Sequence, residues 1–345
     1  MAVRWRDDLR DELIARLGAD NVTTCNADDQ NSIGRALPEA DVAIVASALD
    51  GRYLSAPHLR WIHIDRAGID QFAPPELFDG RVITTSAGRS APAVADQAVL
   101  LLLAVSGDIG TIERMRRRRL WSNRPLQGLN AVTAKHAVVV GAGAIGSAIA
   151  RRFAAMGITA TGISRRTRTE PLPFDRVIAS PTRRQLVTEI ESADIVVVAT
   201  GLNDRTHHII DQTALNALGP TGIIVNVGRG ALIDQRALAR SLRSRRIAGA
   251  GLSVADPEPL PPWNPLWRTP NTVLIPHAVP RLSDRDERSL DIIDDVASAV
   301  KAGQPVARAL TVADAYTRQR STDRLTHHAT KAWHRTAGRR MLHLR

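Results

Sequence analysis

Short apolar runs recur along the chain, separated by stretches whose apolar residues fall three or four positions apart. In the first 100 residues the runs lie at 41–46, 61–64 and 82–85, and each reads as a buried strand. Residues 7–17 have helical spacing, and 91–105 read as a strongly apolar helix, buried or at a subunit interface. The arginine run at 114–119 reads as a solvated face on that helix's continuation. From residue 136 the alternation resumes, with strands expected at 136–140, 159–163, 195–199, 223–227, 249–252 and 273–275. Strands alternating with helices predict parallel sheets flanked by helices. After 277 the pattern changes: residues 284–302 read as one amphipathic helix with Leu290, Ile293, Val296 and Val300 on its apolar side. No domain-sized stretch follows, so this helix is expected to return to the N-terminal domain.

The expected fold is therefore α/β, with two doubly wound parallel-sheet domains around a cleft. One is discontinuous, 1–100 with 281–315, and the other, 101–280, is a nucleotide-binding domain reached by two crossovers. A length of 345 residues suits two such cores. Residues 316–345 show no clear apolar period and are expected to be disordered or loosely helical. They carry eight arginines and lysines against Asp323 alone, so most of the formal charge of +11 belongs to the tail. The tail has Trp333 but little aromatic interleaving, and no helix-turn-helix pattern precedes it, so nucleic acid is not an expected partner.

Other features narrow the class. The start is charged where a signal peptide would turn apolar. The longest apolar run, 98–105, is far short of the roughly 20 residues a membrane span requires. Cys25 is the single cysteine, which excludes an intrachain disulfide and fits a reducing, cytoplasmic compartment. No membrane association and no metal site are expected.

The candidate chemistry begins where the strand at 136–140 runs into Gly141-Ala142-Gly143-Ala144-Ile145-Gly146 and a helix at 147–156. In that context Gly141 permits a tight turn, Gly143 lets the backbone approach a diphosphate, and Gly146 lets the helix pack on the strand. Free amides at the helix start would hold the anion, with Ala144 and Ile145 among the contacts. The next strand ends in Ser164-Arg165-Arg166, with no carboxylate before Glu170. A dinucleotide site for NAD would place Asp or Glu there. Two arginines and a hydroxyl instead suit a ribose 2′-phosphate, so NADP(H) is expected over NAD(H).

Downstream stand Asn226-Val227-Gly228-Arg229-Gly230-Ala231-Leu232-Ile233-Asp234, Pro257-Glu258-Pro259, Pro265-Leu266-Trp267 and Pro276-His277. Together with the glycine turn, over residues 40–312, they resemble the D-isomer-specific 2-hydroxyacid dehydrogenase family. The resemblance implies two α/β domains, usually in a homodimer, that interconvert a small anionic 2-oxo acid and its D-2-hydroxy acid. It implies that Arg229 binds the substrate carboxylate and polarises the 2-oxo group. It makes His277 the acid/base and Glu258 the carboxylate that holds it and raises its pKa. Thr200, Val227, Gly228 and Ser253 would line the cofactor, and the loop Ala67-Gly68-Ile69-Asp70 would receive the substrate carboxylate. The physical chemistry agrees, since reduction at C2 places negative charge on oxygen, which a guanidinium and a protonated imidazole both stabilise.

The chain departs from the family pattern at Ser253, where an aspartate is usual, at Ala255, and at Val279-Pro280, where a small pair is usual. Pro280 has no amide to donate. Arg66 and Arg89 are candidates for a second anionic group, which opens a variant reading, a phosphonate-bearing 2-oxo acid, although a surface role is expected for each. A reading of another class is a nucleotide-sensing co-repressor-like protein, which the presence of an acid/base histidine disfavours.

Overall fold

Alternate residues of the first strands face opposite layers, and that alternation organises the N-terminal fold. The computed structural model describes residues 1–314 apart from 19–21, 47–48, 50, 69–74, 130, 168–170 and 307–308. Ile69, Asp70, Glu170 and the basic tail at 316–345 lie outside the described residues. In chain order come α1 (Asp7–Leu17), α2 (Gln30–Ala36), β1 (Val42–Val45), α3 (Gly51–Leu54), β2 (Trp61–Ile64) and β3 (Val82–Thr85). The three strands pair in parallel in that order, and Ala2 bridges to Val45 in parallel alongside β1. Ala43, Val45, Ile62 and Ile64 pack with Tyr53, Leu77 and Ile83. Ile44 and Trp61 point the other way, into a core with Leu9 and Leu13 of α1. Successive side chains of a strand point to opposite faces, so both faces of this sheet are covered.

The chain continues through α4 (Ala91–Ser106), α5 (Ile109–Arg117), β4 (His136–Val140), α6 (Ala144–Ala155), β5 (Thr159–Ser164) and β6 (Arg176–Ala179). Then follow α7 (Arg183–Glu191), β7 (Ile195–Val198), α8 (Gln212–Leu218), β8 (Ile223–Asn226), α9 (Gln235–Arg243), β9 (Gly249–Leu252) and β10 (Thr272–Leu274). Among the described residues, seven parallel strands form one sheet in the order β10-β9-β8-β7-β4-β5-β6. The order reverses between β4 and β7, so the connections leaving these neighbours diverge and open a crevice at their carboxyl ends, where ligands of such sheets bind.

Two local expectations need correction. The arginine run does not continue α4: the chain bends by 62° at Gly107 and Asp108 before α5 begins. Asp108 sits at φ 42° and caps α5 by accepting from the Thr111 amide, so a new helix starts there. The edge strand β6 has no counterpart in the sequence reading, because half-exposed Arg176–Ala179 lacks a clean apolar alternation.

A last helix, α10 (Arg285–Lys301), closes the described fold. Leu290, Ile293 and Val296 bury against α1 in the N-terminal core, whereas Val300, expected on the same side, is 42% exposed. The contacts divide the chain into two units, Met1–Ser90 with Arg281–Thr317, and one that takes in Ala91–Pro280. The break falls before α4 rather than at residue 100, because α4 buries Ala98, Leu101 and Leu102 with α6 and the seven-stranded sheet.

Candidate active site

The glycine turn leaves β4 at the reversal point. Gly141 has φ 118°, a conformation that L side chains rarely adopt, and a Cβ there would lie 2.6 Å from the Ala199 carbonyl oxygen beyond β7. A Cβ on Gly146 would fall 2.0 Å from the Gly141 carbonyl oxygen, so the close seat of α6 on β4 requires glycine. Gly143 is different. Its Cβ position meets nothing within 4 Å, leaving open space above the first turn of α6. The amides of Ala144 and Ile145 open that helix, and Gly143 supplies no side-chain cap. First-turn amides lack intrahelical acceptors, so an anion resting over Gly143 finds donors and the positive end of a helix dipole.

The flank of this cradle is cationic. Arg165 and Arg166 are exposed just beyond β5. The Ser164 hydroxyl donates to the Arg166 carbonyl (2.7 Å) and accepts from the Arg166 amide (3.3 Å). The hydroxyl expected to meet a phosphate thus shapes the turn that presents the two arginines.

On the other side of the reversal point, Asn226 ends β8 and braces the next turn. Its Oδ1 accepts from the Gly228 amide (3.0 Å), and its Nδ2 donates to the Arg229 carbonyl (2.9 Å). Val227 and Gly228 are buried, and a Cβ on Gly228 would press on the carbonyl of half-buried Thr200 (2.9 Å). Arg229 donates from its guanidinium to the Gly228 carbonyl (2.9 Å) and stays half-buried. Ser253, after β9, is buried, and its hydroxyl and amide both donate to the Asn226 carbonyl (3.2 and 3.0 Å). Asn226, the first residue of the motif at 226–234, is a bracing residue that the sequence reading does not assign to the site. The signal for it is the glycine two positions on, which lets an Asx turn close.

Glu258 and His277 meet here. Nδ1 of His277 lies 2.7 Å from Oε2 of Glu258, while Oε1 accepts from the Ala255 amide (2.9 Å). Both carboxylate oxygens are thereby fixed, and Nε2 is the ring nitrogen left for another molecule. Burial pushes the Glu258 carboxyl up, but the His277 bond, the Ala255 amide and the charges of His277 and Arg229 outweigh it and hold it below the usual range. His277 has φ 40°, and its amide donates to the carbonyls of Ser253 (3.0 Å) and Ile275 (2.9 Å). Arginine, carboxylate and histidine thus share one electrostatic neighbourhood.

In the first unit Ala67 and Gly68 follow β2, beside a buried polar chain. Ser86 Oγ donates to Asp65 Oδ1 (2.7 Å), and Trp5 Nε1 donates to Asp65 Oδ2 (2.9 Å). His63 Nε2 donates in turn to Ser86 (2.9 Å), whose own proton is committed to Asp65. Arg89 pairs with Asp65 and donates to Ser289 Oγ (3.0 Å) on α10. Burial would raise the Asp65 carboxyl, but Arg89 and the hydroxyl and indole donors bring it below its ordinary value. Arg89 is therefore not a surface residue; it balances a buried carboxylate. Arg66 is half-buried, donating through Nε to the Ala46 carbonyl (3.0 Å).

Similar proteins are known by sequence and by structure. Residues 99–278 match the family model described as D-isomer specific 2-hydroxyacid dehydrogenase, NAD binding domain. The chain is 29% identical to a glyoxylate reductase of Korarchaeum cryptofilum, over 77% of this chain and 80% of that one. It is 34% identical to the glyoxylate/hydroxypyruvate reductase HPR3 of Arabidopsis thaliana, over 64% of this chain and 67% of the relative. A D-isomer specific 2-hydroxyacid dehydrogenase from Xanthobacter autotrophicus, solved with NADPH and MES, superposes with a TM-score of 0.74 at 25% identity, over 90% of this chain and 96% of that one.

Proposed function

The chain belongs to the D-isomer-specific 2-hydroxyacid dehydrogenase family and is an NAD(P)H-dependent oxidoreductase of 2-oxo acids; within that activity, we propose that it reduces small substrates of the glyoxylate and hydroxypyruvate class to D-2-hydroxy acids, with NADPH preferred and His277 as the proton donor. The observation that carries this reading is the 2.7 Å contact between His277 and Glu258 in the field of Arg229.

Each residue has a share of the work. Glu258, pinned by the Ala255 amide, holds the imidazole by Nδ1, so that Nε2 is presented to deliver a proton to the 2-oxygen. The Arg229 guanidinium, on the turn that Asn226 braces, binds the substrate carboxylate and stabilises charge developing on the 2-oxygen. The cradle residues fit a dinucleotide: a side chain would fill the space over Gly143 that a diphosphate needs, and Thr200, Val227, Gly228 and Ser253 would line the pocket beyond it. When bound, the reduced nicotinamide supplies the hydride. Arg165 and Arg166 favour a cofactor with a 2′-phosphate, a preference in keeping with the NADPH held by the Xanthobacter relative.

Turnover of glyoxylate, hydroxypyruvate and bulkier 2-oxo acids with NADPH and NADH tests this directly. A charged hydrogen bond contributes about 1.5–3 kcal/mol. Replacing Arg165 and Arg166 by alanine should therefore reduce kcat/KM for NADPH by at least roughly tenfold and leave NADH nearly unchanged. Equal losses with both cofactors would remove the arginines from the cofactor site. No turnover of any 2-oxo acid would remove the substrate assignment.

A further inference from the structure

The backbone just after His277 is almost without support. Residues 278–281 are exposed, and among the described residues the carbonyl of Ala278 is the one polar group of 278–283 engaged in a hydrogen bond. Its partner is distant in sequence: Gln97 Nε2, on α4, donates to the Ala278 carbonyl. Gln97 is 3% exposed, and its neighbours Ala98, Leu101 and Leu102 are wholly buried in the second unit's core. The donor is thus mounted on a well-anchored helix. A buried amide is kept only where it finds a partner.

We propose that Gln97 is a positioning residue for the acid/base His277, fixing the peptide that follows it so that Nε2 is presented in one orientation. The proposal rests on the reading of His277 as proton donor. Three tethers bear on this histidine. Glu258 holds the ring, the carbonyls of Ser253 and Ile275 hold its amide, and Gln97 holds the chain on its far side. His277 sits at φ 40°, in a region that side chains other than glycine visit sparingly. A bond on the downstream side therefore opposes relaxation of the backbone toward the ordinary extended region. Once the far side is loose, rotation about the 277–278 backbone would swing the imidazole while Glu258 followed or lost it. A misplacement of about 1 Å can reduce a rate by on the order of 10²-fold.

The donor requirement gives a readout that a purely structural role would not move. Gln97→Leu removes the donor at similar volume. Gln97→Glu keeps the shape but donates only when its carboxyl is protonated. Both are compared with the wild type and with His277→Ala in glyoxylate reduction by NADPH between mildly acid and alkaline pH. NADPH affinity is followed by fluorescence titration and folding by thermal melting. The expected result is a kcat at least tenfold lower in Gln97→Leu at every pH, with NADPH affinity within about twofold of the wild type. In Gln97→Glu, kcat relative to the wild type should climb as the pH falls. A wild-type kcat in Gln97→Leu would overturn the proposal, as would a Gln97→Glu variant as impaired as Gln97→Leu with no recovery in acid. Full activity in His277→Ala is a separate outcome that would overturn the reading of His277 itself, and this proposal with it.

Discussion

Glu258 is held by opposing influences, and the winner sets the pH behaviour of the site. Burial favours its neutral form, while the His277 bond, the Ala255 amide and the neighbouring charges favour the anion and prevail. A carboxyl whose pKa is lowered on folding contributes above its unfolded value, and that contribution fades as pH falls through the lower folded value. The anion therefore persists beside His277 throughout the neutral range and into moderate acid. Glu258→Gln keeps the shape and removes that charge, so its kcat should be lower throughout, and the loss of rate that protonation of Glu258 imposes in acid should be absent from its rate profile. His277→Ala should lower kcat by about 10²–10⁴-fold. Unchanged profiles in both would make the pair structural. Gly143 offers a second test at this scale. Gly143→Ala meets no atom within 4 Å and should fold normally, yet raise the NADPH dissociation constant at least tenfold. Gly146→Ala drives a methyl into the Gly141 carbonyl and should lower the melting temperature, as overpacking of about 1–3 kcal/mol would. These glycines, Arg229, Glu258 and His277 were legible because chemistry restricts each position to few residue types. The role of Arg89 was not, since an arginine beside a glycine reads as solvated until Asp65 is found against it.

At the scale of elements, legibility followed burial. Each strand expected from an apolar run appears within a residue or so of its place, whereas β6 and the start of α5 escaped notice. β6 lies at a sheet edge and needs few apolar side chains, and α5 begins at a cap rather than at a change of period. Helix α4 carries a clearer message. Its inward face is fully buried, yet Leu100 and Leu103 are exposed, as are Ile109 and Ile112 on α5 and Trp121 just beyond. Exposed apolar side chains gathered on consecutive elements point to a partner surface. The homodimer that the family resemblance implies would cover them. Leu103→Arg should convert a dimer to a monomer in light scattering without lowering the melting temperature of the monomer. A wild type that is already monomeric at micromolar concentration would dispose of that inference.

Across the whole molecule, the sequence order and the spatial order differ. Among the described residues the second unit is one continuous stretch, 91–280, while the first is completed by residues from both sides of it. The late return was legible because α10 is amphipathic. Which residues it would cover was not, since Leu9 and Leu13 lie at the far end of the sequence. A fragment of residues 91–280 has its own sheet and core and should fold alone, giving a cooperative melt and dispersed amide resonances; a fragment that stays unfolded would show that the division is only geometric. The interleaved order also bears on biosynthesis. The first ninety residues leave the ribosome with the apolar side of α1 bare, and α10, which covers it, emerges roughly 190 residues later. At about 5–20 residues per second, that is an interval of about 10–40 s. Throughout it Leu9, Leu13 and Trp61 are open to chaperones and to other nascent chains. The yield of this enzyme in the cell should accordingly depend on translation speed and chaperone supply more than that of a relative whose first domain is contiguous.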